Sequence, residues 1–188
     1  MKLERSGGFT IIEMMISIGI FLIVVTVGMT ALLNASAIHQ KSQDQRSIMD
    51  SLNFIMDEMS RNIRTGIGYD CTDSVGNASG TPGNCSPGAQ GISFTSSGGT
   101  PVAYYFNNHN LEKNTGGGNL VQLNPNDLNN NGVIFDSASG FSITGAGLST
   151  TDNLQPFVTI HLIGTITTKG VATPFSLQTS VSQRQVDI

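Results

Sequence analysis

Gly8-Phe9-Thr10-Ile11-Ile12-Glu13, continuing without interruption as MMISIGIFLIVVTVGMTALL to Leu33, is the stretch that decides the fold. Residues 9–33 are nearly solid apolar sequence. As a helix at about 1.5 Å per residue they extend roughly 37 Å, longer than the ~30 Å hydrocarbon core of a bilayer, so the run spans a membrane with some tilt. Ahead of it stands the short polar leader MKLERSGG, with Lys2 and Arg5. The positive-inside bias then places the leader in the cytoplasm and the chain after Leu33 outside. A secretory signal would have an apolar core of about 7 to 15 residues, too short to match this one, although Ala35-Ser36-Ala37 imitates its cleavage site.

Glu13 is the one acidic residue inside the run. A carboxylate at membrane depth costs roughly 2 to 3 kcal/mol on insertion scales unless it reaches the interface or finds a cation. A plain anchor offers no compensation. A chain cut before Phe9 would offer one, because the cut creates a new amino terminus in the same layer.

Gly8 followed by Phe-Thr-Ile-Ile-Glu, after a short basic leader and before a long apolar helix, resembles the signal of type IV prepilins and type II secretion pseudopilins. The resemblance implies a membrane-embedded prepilin peptidase that cuts after Gly8 and methylates Phe9. It also implies that Glu13 pairs with the N-terminal amine of a neighbouring subunit during assembly. The implied partners are other pilin or pseudopilin subunits met through the N-terminal helix, the peptidase, an inner-membrane assembly platform and membrane lipids. Many members carry a proline in the apolar helix, and this chain has none there. Gly19 and Gly28 interrupt the run instead, residues suited to close helix packing in membranes.

Beyond Leu33 the sequence becomes polar but keeps a helical period: Ile48, Leu52, Ile55, Met59 and Ile63 recur at steps of three and four. Asp50, Asn53, Asp57 and Arg61 mark the opposite face, with Asp57 and Arg61 at the favourable i, i+4 spacing. Gly66 offers a stop, so the helix is expected to end near Thr65. One helix from Phe9 to Thr65 and two helices broken within 34–39 both fit the pattern.

After Gly66 the composition turns to Gly, Ser, Thr and Asn with short apolar alternations. Ile92 and Phe94, then Val102, Tyr104 and Phe106, predict a hairpin across Ser-Ser-Gly-Gly-Thr-Pro. Short strands are predicted at 120–123, 133–135 and 141–143. Two longer ones follow at 157–168 and 175–183, each with its apolar residues on one face, suited to covering the helix. The predicted fold class is therefore α+β: a long N-terminal helix, transmembrane in its first half and amphipathic in its second, packed on an antiparallel β-sheet. The expected segments are a leader over 1–8, a transmembrane and assembly helix over 9–33, its amphipathic continuation over 34–65, and an extracytoplasmic β-rich domain over 66–188. The strand content and the closing LQTSVSQR are similar to the larger minor pilins and J-type or W-type minor pseudopilins.

Cys71 and Cys85 lie in a Gly/Ser/Asn/Pro-rich stretch with little else to hold it. A disulfide closing residues 71–85 suits an extracytoplasmic compartment and contributes on the order of 3 kcal/mol in the chain-entropy account; two separate free thiols are the alternative. No histidine stands near enough in sequence to make these cysteines a zinc site.

Other motifs are weaker. Asp127, Asn129 and Asn131, with Gly132 at the sixth position, look like half a calcium loop, but Ala138 stands where the closing glutamate belongs, and a turn is the simpler reading. His39, His109 and His161 are isolated and fit no catalytic signature, with His161 expected on the exposed face of its strand. Asn77-Ala78-Ser79 has the form of a glycosylation sequon. Gly116 and the two glycines after it follow no strand-to-helix pattern that would cradle a phosphate. Charged residues are only 12 % of the chain, and the net charge of -4 is dispersed, so a nucleic-acid partner is not expected. No cofactor and no enzymatic activity are expected. The alternative to a filament subunit is a membrane-anchored binding or adhesion module.

Overall fold

The computed structural model describes residues 8–72, 81–116, 120–125, 132–147 and 154–184. The chain divides into two compact units, one up to Gln43 and one from Asp44 onward.

Among the described residues of the first unit the regular element is helix α1 (Ile11–Thr65), which enters both units and is helical throughout 34–39. The apolar residues of this part are exposed on all sides: Ile11, Phe21, Leu22, Ile23 and Leu33 are among them. An 18-residue window of mean hydropathy 2.5 makes the helix long and apolar enough to cross a membrane. Its hydroxyls do not interrupt that surface. Ser17, Thr26 and Thr30 donate to the carbonyls of Glu13, Leu22 and Thr26, four residues back, at 2.8, 2.7 and 2.9 Å. The polar groups are thus satisfied inside the helix, as a hydrocarbon environment demands.

The second unit packs the remainder of α1 with two antiparallel sheets. The first contains β1 (Ile67–Cys71), β3 (Gly91–Thr95), β4 (Pro101–Asn107), β5 (Asn110–Asn114) and β6 (Leu120–Gln122), in the order β1-β3-β4-β5-β6. The second runs β10-β9-β8-β2, from β2 (Cys85–Ala89), β8 (Gly140–Thr144), β9 (Phe157–Thr168) and β10 (Val171–Ser182), and adds β7 (Gly132–Phe135). Strand β9 is the spine of that sheet. β10 pairs along its whole length, while β8 and β7 share the opposite edge, β8 through residues 157–161 and β7 through 164–167.

The apolar stripe on the helix is the one its spacing predicts: Leu52, Ile55, Met59 and Ile63 are buried and Ile48 is half-buried. Each such side chain contributes about 1.5 to 3 kcal/mol when fully removed from water. They share one core with both sheets. Phe106 of the first sheet meets Phe135 and Phe141 of the second at ring-centroid distances of 5.4 Å each, and Phe135 in turn meets Phe175 on β10 at 6.1 Å. Two sheets, and not one, therefore close the core.

The helix ends at Thr65 as the sequence suggests, but for a different reason. Gly66 does not take the left-handed conformation that helix-ending glycines often adopt. It is required because a Cβ at this position would lie 2.4 Å from Phe94. At this end the Ile63 carbonyl accepts from the Gly66 N–H and the Arg64 carbonyl from the Arg184 N–H. Tyr69, a buried residue with one hydroxyl proton to donate, places that hydroxyl 2.5 Å, oxygen to oxygen, from the carbonyls of both Ile63 and Gly66.

Three strands escape the sequence pattern. β1 contains Gly68 at φ 68° and a register irregularity, β2 contains Pro87 and Gly88, and β5 follows a tight turn at Asn108 and His109 with φ 46° and 66°. That turn gives the strand-compatible twist usually supplied by Asn-Gly. Lys169 and Gly170, at φ 49° and 75°, do the same between β9 and β10, which begins four residues before the predicted strand.

Candidate functional site

The segment around Gly8 precedes the first helical turn. Residues 8–10 are non-helical and exposed, Phe9 is 78 % exposed, and nothing lies within 4 Å of where a Gly8 side chain would begin. The Gly8–Phe9 peptide bond is thus in accessible, irregular chain, the form in which a protease can take up a backbone.

Thr10 begins the helix. Its Oγ1 accepts from the Glu13 backbone N–H at 3.3 Å, and its carbonyl accepts from the Met14 N–H at 3.2 Å. Thr-x-x-Glu is the spacing of a capping box, in which the glutamate at the third helical position also supports the first turn. A carboxylate there faces the positive end of the helix dipole, worth typically 0.3 to 1 kcal/mol. Glu13 therefore has a local role in starting the helix besides any role between chains. Thr10 is a residue the sequence reading passed over, although its spacing from Glu13 was visible.

Cys71 and Cys85 are joined in a disulfide with Cα atoms 6.2 Å apart. Cys71 ends β1 in the first sheet and Cys85 begins β2 in the second, so the bond staples one sheet to the other.

A half-buried polar cluster around the buried Tyr104 ties the helix to the first sheet. Lys113 on β5 is bonded to Glu58 and lies 5.8 Å from the centre of the Tyr104 ring, while the Asn62 amide donates to the Tyr104 hydroxyl at 2.7 Å. Burial raises the Tyr104 phenol above its ordinary 10.0, against the lowering effect of the Asn62 bond and the Lys113 charge. Burial pulls Lys113 down, but its bond to Glu58 and the charges of Tyr104 and Glu58 outweigh this and hold it above 10.5.

On the outer face of the second sheet is an open pocket of about 470 Å³, lined by Pro87 and Gly88 at one side and by Ser142, Thr159, His161 and Gln178 across the strands. His161 is half-buried on the outward-facing side of β9, with Nε2 3.4 Å from the Ser176 hydroxyl. Among the described residues no cysteine or carboxylate lines the pocket, so they form no set of nucleophile, base and orienting acid there. His109 serves its turn through Nδ1, 2.8 Å from the Phe135 carbonyl. His39 is exposed on the helix.

Among the described residues no group of three His, Cys, Asp or Glu side chains could hold a metal ion. Asp127, Asn129 and Asn131 lie outside the described residues, as do the Asn77-Ala78-Ser79 sequon and Lys2 and Arg5 of the leader.

Residues 4–29 match the prokaryotic N-terminal methylation motif. No curated protein and no solved structure matches the chain. The motif, the exposed Gly8–Phe9 junction and the apolar helix after it make this a type IV prepilin-like signal at the head of an α+β chain of pilin-like architecture. Such a signal points to a structural subunit anchored in a membrane before an enzyme.

Proposed function

We propose that the chain is a structural subunit of a type IV pilus or of a pilus-like filament of the type II secretion or DNA-uptake kind, and by its strand content a minor pilin or pseudopilin. The observation that carries this is the methylation motif over residues 4–29, placed so that Gly8–Phe9 is exposed directly ahead of a helix whose apolar residues are left exposed among the described residues.

In this reading the chain waits in the inner membrane with its leader in the cytoplasm and its β-rich unit outside. Prepilin peptidase cuts after Gly8 and methylates the new terminus at Phe9. While the helix is in the bilayer, lipid covers its apolar surface. Leaving the bilayer exposes that surface, and each large side chain then gains about 1.5 to 3 kcal/mol by burial against another subunit.

Glu13 gives this association a polar register. A carboxylate and an ammonium 4 Å apart attract by about 4 kcal/mol at an effective dielectric constant of 20. That offsets the insertion cost of roughly 2 to 3 kcal/mol for placing the carboxylate in apolar surroundings. The Phe9 amine exists only after cleavage, so processing and assembly are coupled. Other pilin subunits, the peptidase and the inner-membrane assembly platform are the partners.

Glu13→Ala tests the coupling. The variant is expected to be cleaved normally and to enter sheared filaments at least tenfold less than the parent chain. Parental levels of incorporation would contradict the assembly role. The pocket on the outer sheet face favours a second reading, a membrane-anchored module whose β-rich unit binds a small polar ligand or adheres to one.

A further inference from the structure

The solvent face of the second half of α1 is not uniformly polar. Phe54 is 70 % exposed and lies opposite the buried stripe of Leu52, Ile55, Met59 and Ile63. Along the same outward side stand Arg46, Asp50, Asp57, Arg61 and Arg64, all exposed. Asp57 and Arg61 form an i, i+4 pair at 2.6 Å. The Asp50 carboxylate and the Arg64 guanidinium have no partner among the described residues.

Single exposed apolar residues are ordinary on protein surfaces. Here the aromatic ring sits between Asp50 and Asp57 in a row that is basic at both ends, Arg46 on one side and Arg61 with Arg64 on the other, and aromatic and arginine side chains are the ones that dominate binding surfaces. From this we infer that the Phe54 stripe is a second contact between copies of the chain, distinct from the apolar segment of residues 9–33. The inference rests on the filament-subunit reading, which supplies the second copy and its direction.

Charge complementarity selects the partner and the arrangement. Helices inserted in one membrane with the same orientation approach in parallel. Two parallel copies in register would set Asp50 beside Asp50 and Arg61 beside Arg61, which repel. Displacing one copy by four residues brings Arg46 beside Asp50 and Asp57 beside Arg61; displacing it by eleven brings Arg46 beside Asp57 and Asp50 beside Arg61. At about 1.5 Å per residue these are shifts of roughly 6 and 16 Å. Both nearly complete whole turns, so the same face stays in contact. The shift of four sets Phe54 beside Asp50 and Glu58, whereas the shift of eleven sets it beside Thr65 and next to Arg64, so the longer stagger is the one that brings a guanidinium group to the aromatic face. The stripe therefore repels an in-register copy and accepts a staggered one, the geometry of a growing filament and not of a closed pair.

The test uses two full-length variants. One makes the stripe entirely basic, Asp50→Arg with Asp57→Arg. The other makes it entirely acidic, Arg46→Asp with Arg61→Asp and Arg64→Asp. Each alone is expected to enter sheared filaments at least tenfold less than the parent. Produced together, they are expected to recover incorporation to within about threefold, because unlike stripes then alternate. Phe54→Ser, which leaves the charges in place, is expected to lower incorporation several-fold. Folding is read from the Cys71–Cys85 disulfide and from resistance to proteolysis in the membrane fraction.

Parental incorporation of either charge variant alone overturns the inference. So does failure of the mixture while both chains are folded and begin at Phe9, since the stripe then meets a different protein. A parent chain that forms no filament, or does not begin at Phe9, removes the filament reading and this inference with it; a parent that assembles beside an unrescued mixture removes the inference alone.

Discussion

Replacing Tyr69 by Phe removes one oxygen atom from the point where helix, first sheet and core meet. The ring of Tyr69 is buried and lies 5.8 Å from that of Phe94, so the Phe variant keeps the apolar contact. Its hydroxyl is 2.5 Å from the Ile63 and Gly66 carbonyl oxygens. Ile63 retains the Gly66 N–H at 3.1 Å, so the loss is centred on the buried Gly66 carbonyl. A net hydrogen bond contributes about 0.5 to 1.5 kcal/mol, and leaving a buried acceptor short costs about 1 to 3. The expected destabilisation is about 1 to 2 kcal/mol. For a domain of this size, each kcal/mol lowers the melting temperature by roughly 2 to 4 °C. The assay is thermal unfolding of the detergent-solubilised full chain, with the disulfide intact and reversibility checked by rescanning. A shift below about 1 °C would refute the capping role of the hydroxyl. A loss above about 4 kcal/mol would refute the assumption that the ring packs unchanged.

Further expectations follow from other parts of the second unit. Stability is expected to be level up to about pH 10 and to fall above it, because the folded chain holds the Tyr104 and Lys113 protons at pH values where the unfolded chain has released them; denaturant midpoints between pH 8 and 11.5 check this, and Tyr104→Phe should flatten part of the decline. Gly164→Ala would place a Cβ 2.3 Å from the Ile134 carbonyl oxygen, so β7 must shift from β9, at about 1 to 3 kcal/mol in chemical denaturation. Replacing both Cys71 and Cys85 by Ser frees one sheet from the other and is expected to lower stability by about 2 to 5 kcal/mol. An unchanged midpoint in the double-serine chain would show that the staple adds nothing to the aromatic core.

What the sequence made legible depended on whether a residue's local pattern and its tertiary environment agreed. The helix face was readable because Leu52, Ile55, Met59 and Ile63 each obey one period and each enter the core. The long strands β9 and β10 were readable for the same reason at period two, through Val158, Ile160 and Leu162. The strands β1 and β2 were not: Gly68, Pro87 and Gly88 are turn-forming residues, and their strand pairing is imposed by neighbours and by the disulfide. The turn at Asn108-His109 was missed because a histidine at positive φ is uncommon, although asparagine accepts that conformation readily. The second sheet could not be counted from periodicity, which identifies a strand's buried face but not the sheet it joins. At the N-terminal site, Gly8, Phe9 and Glu13 were legible as a linear motif, whereas the Thr10 cap became meaningful only once the helix start at Ile11 was fixed. Gly66 was assigned the right consequence by the wrong cause, because its constraint is the approach of Phe94 from a distant strand.

The central claim is that cleavage after Gly8 creates the terminus through which the chain assembles. Mass spectrometry of the N-terminal peptide, taken from the chain isolated from its native membrane or filament, tests this most directly. The account predicts a peptide beginning at Phe9 and carrying one added methyl group on its α-amine. A chain that keeps Met1, or one that begins near Ala37 after ordinary signal cleavage, would contradict it.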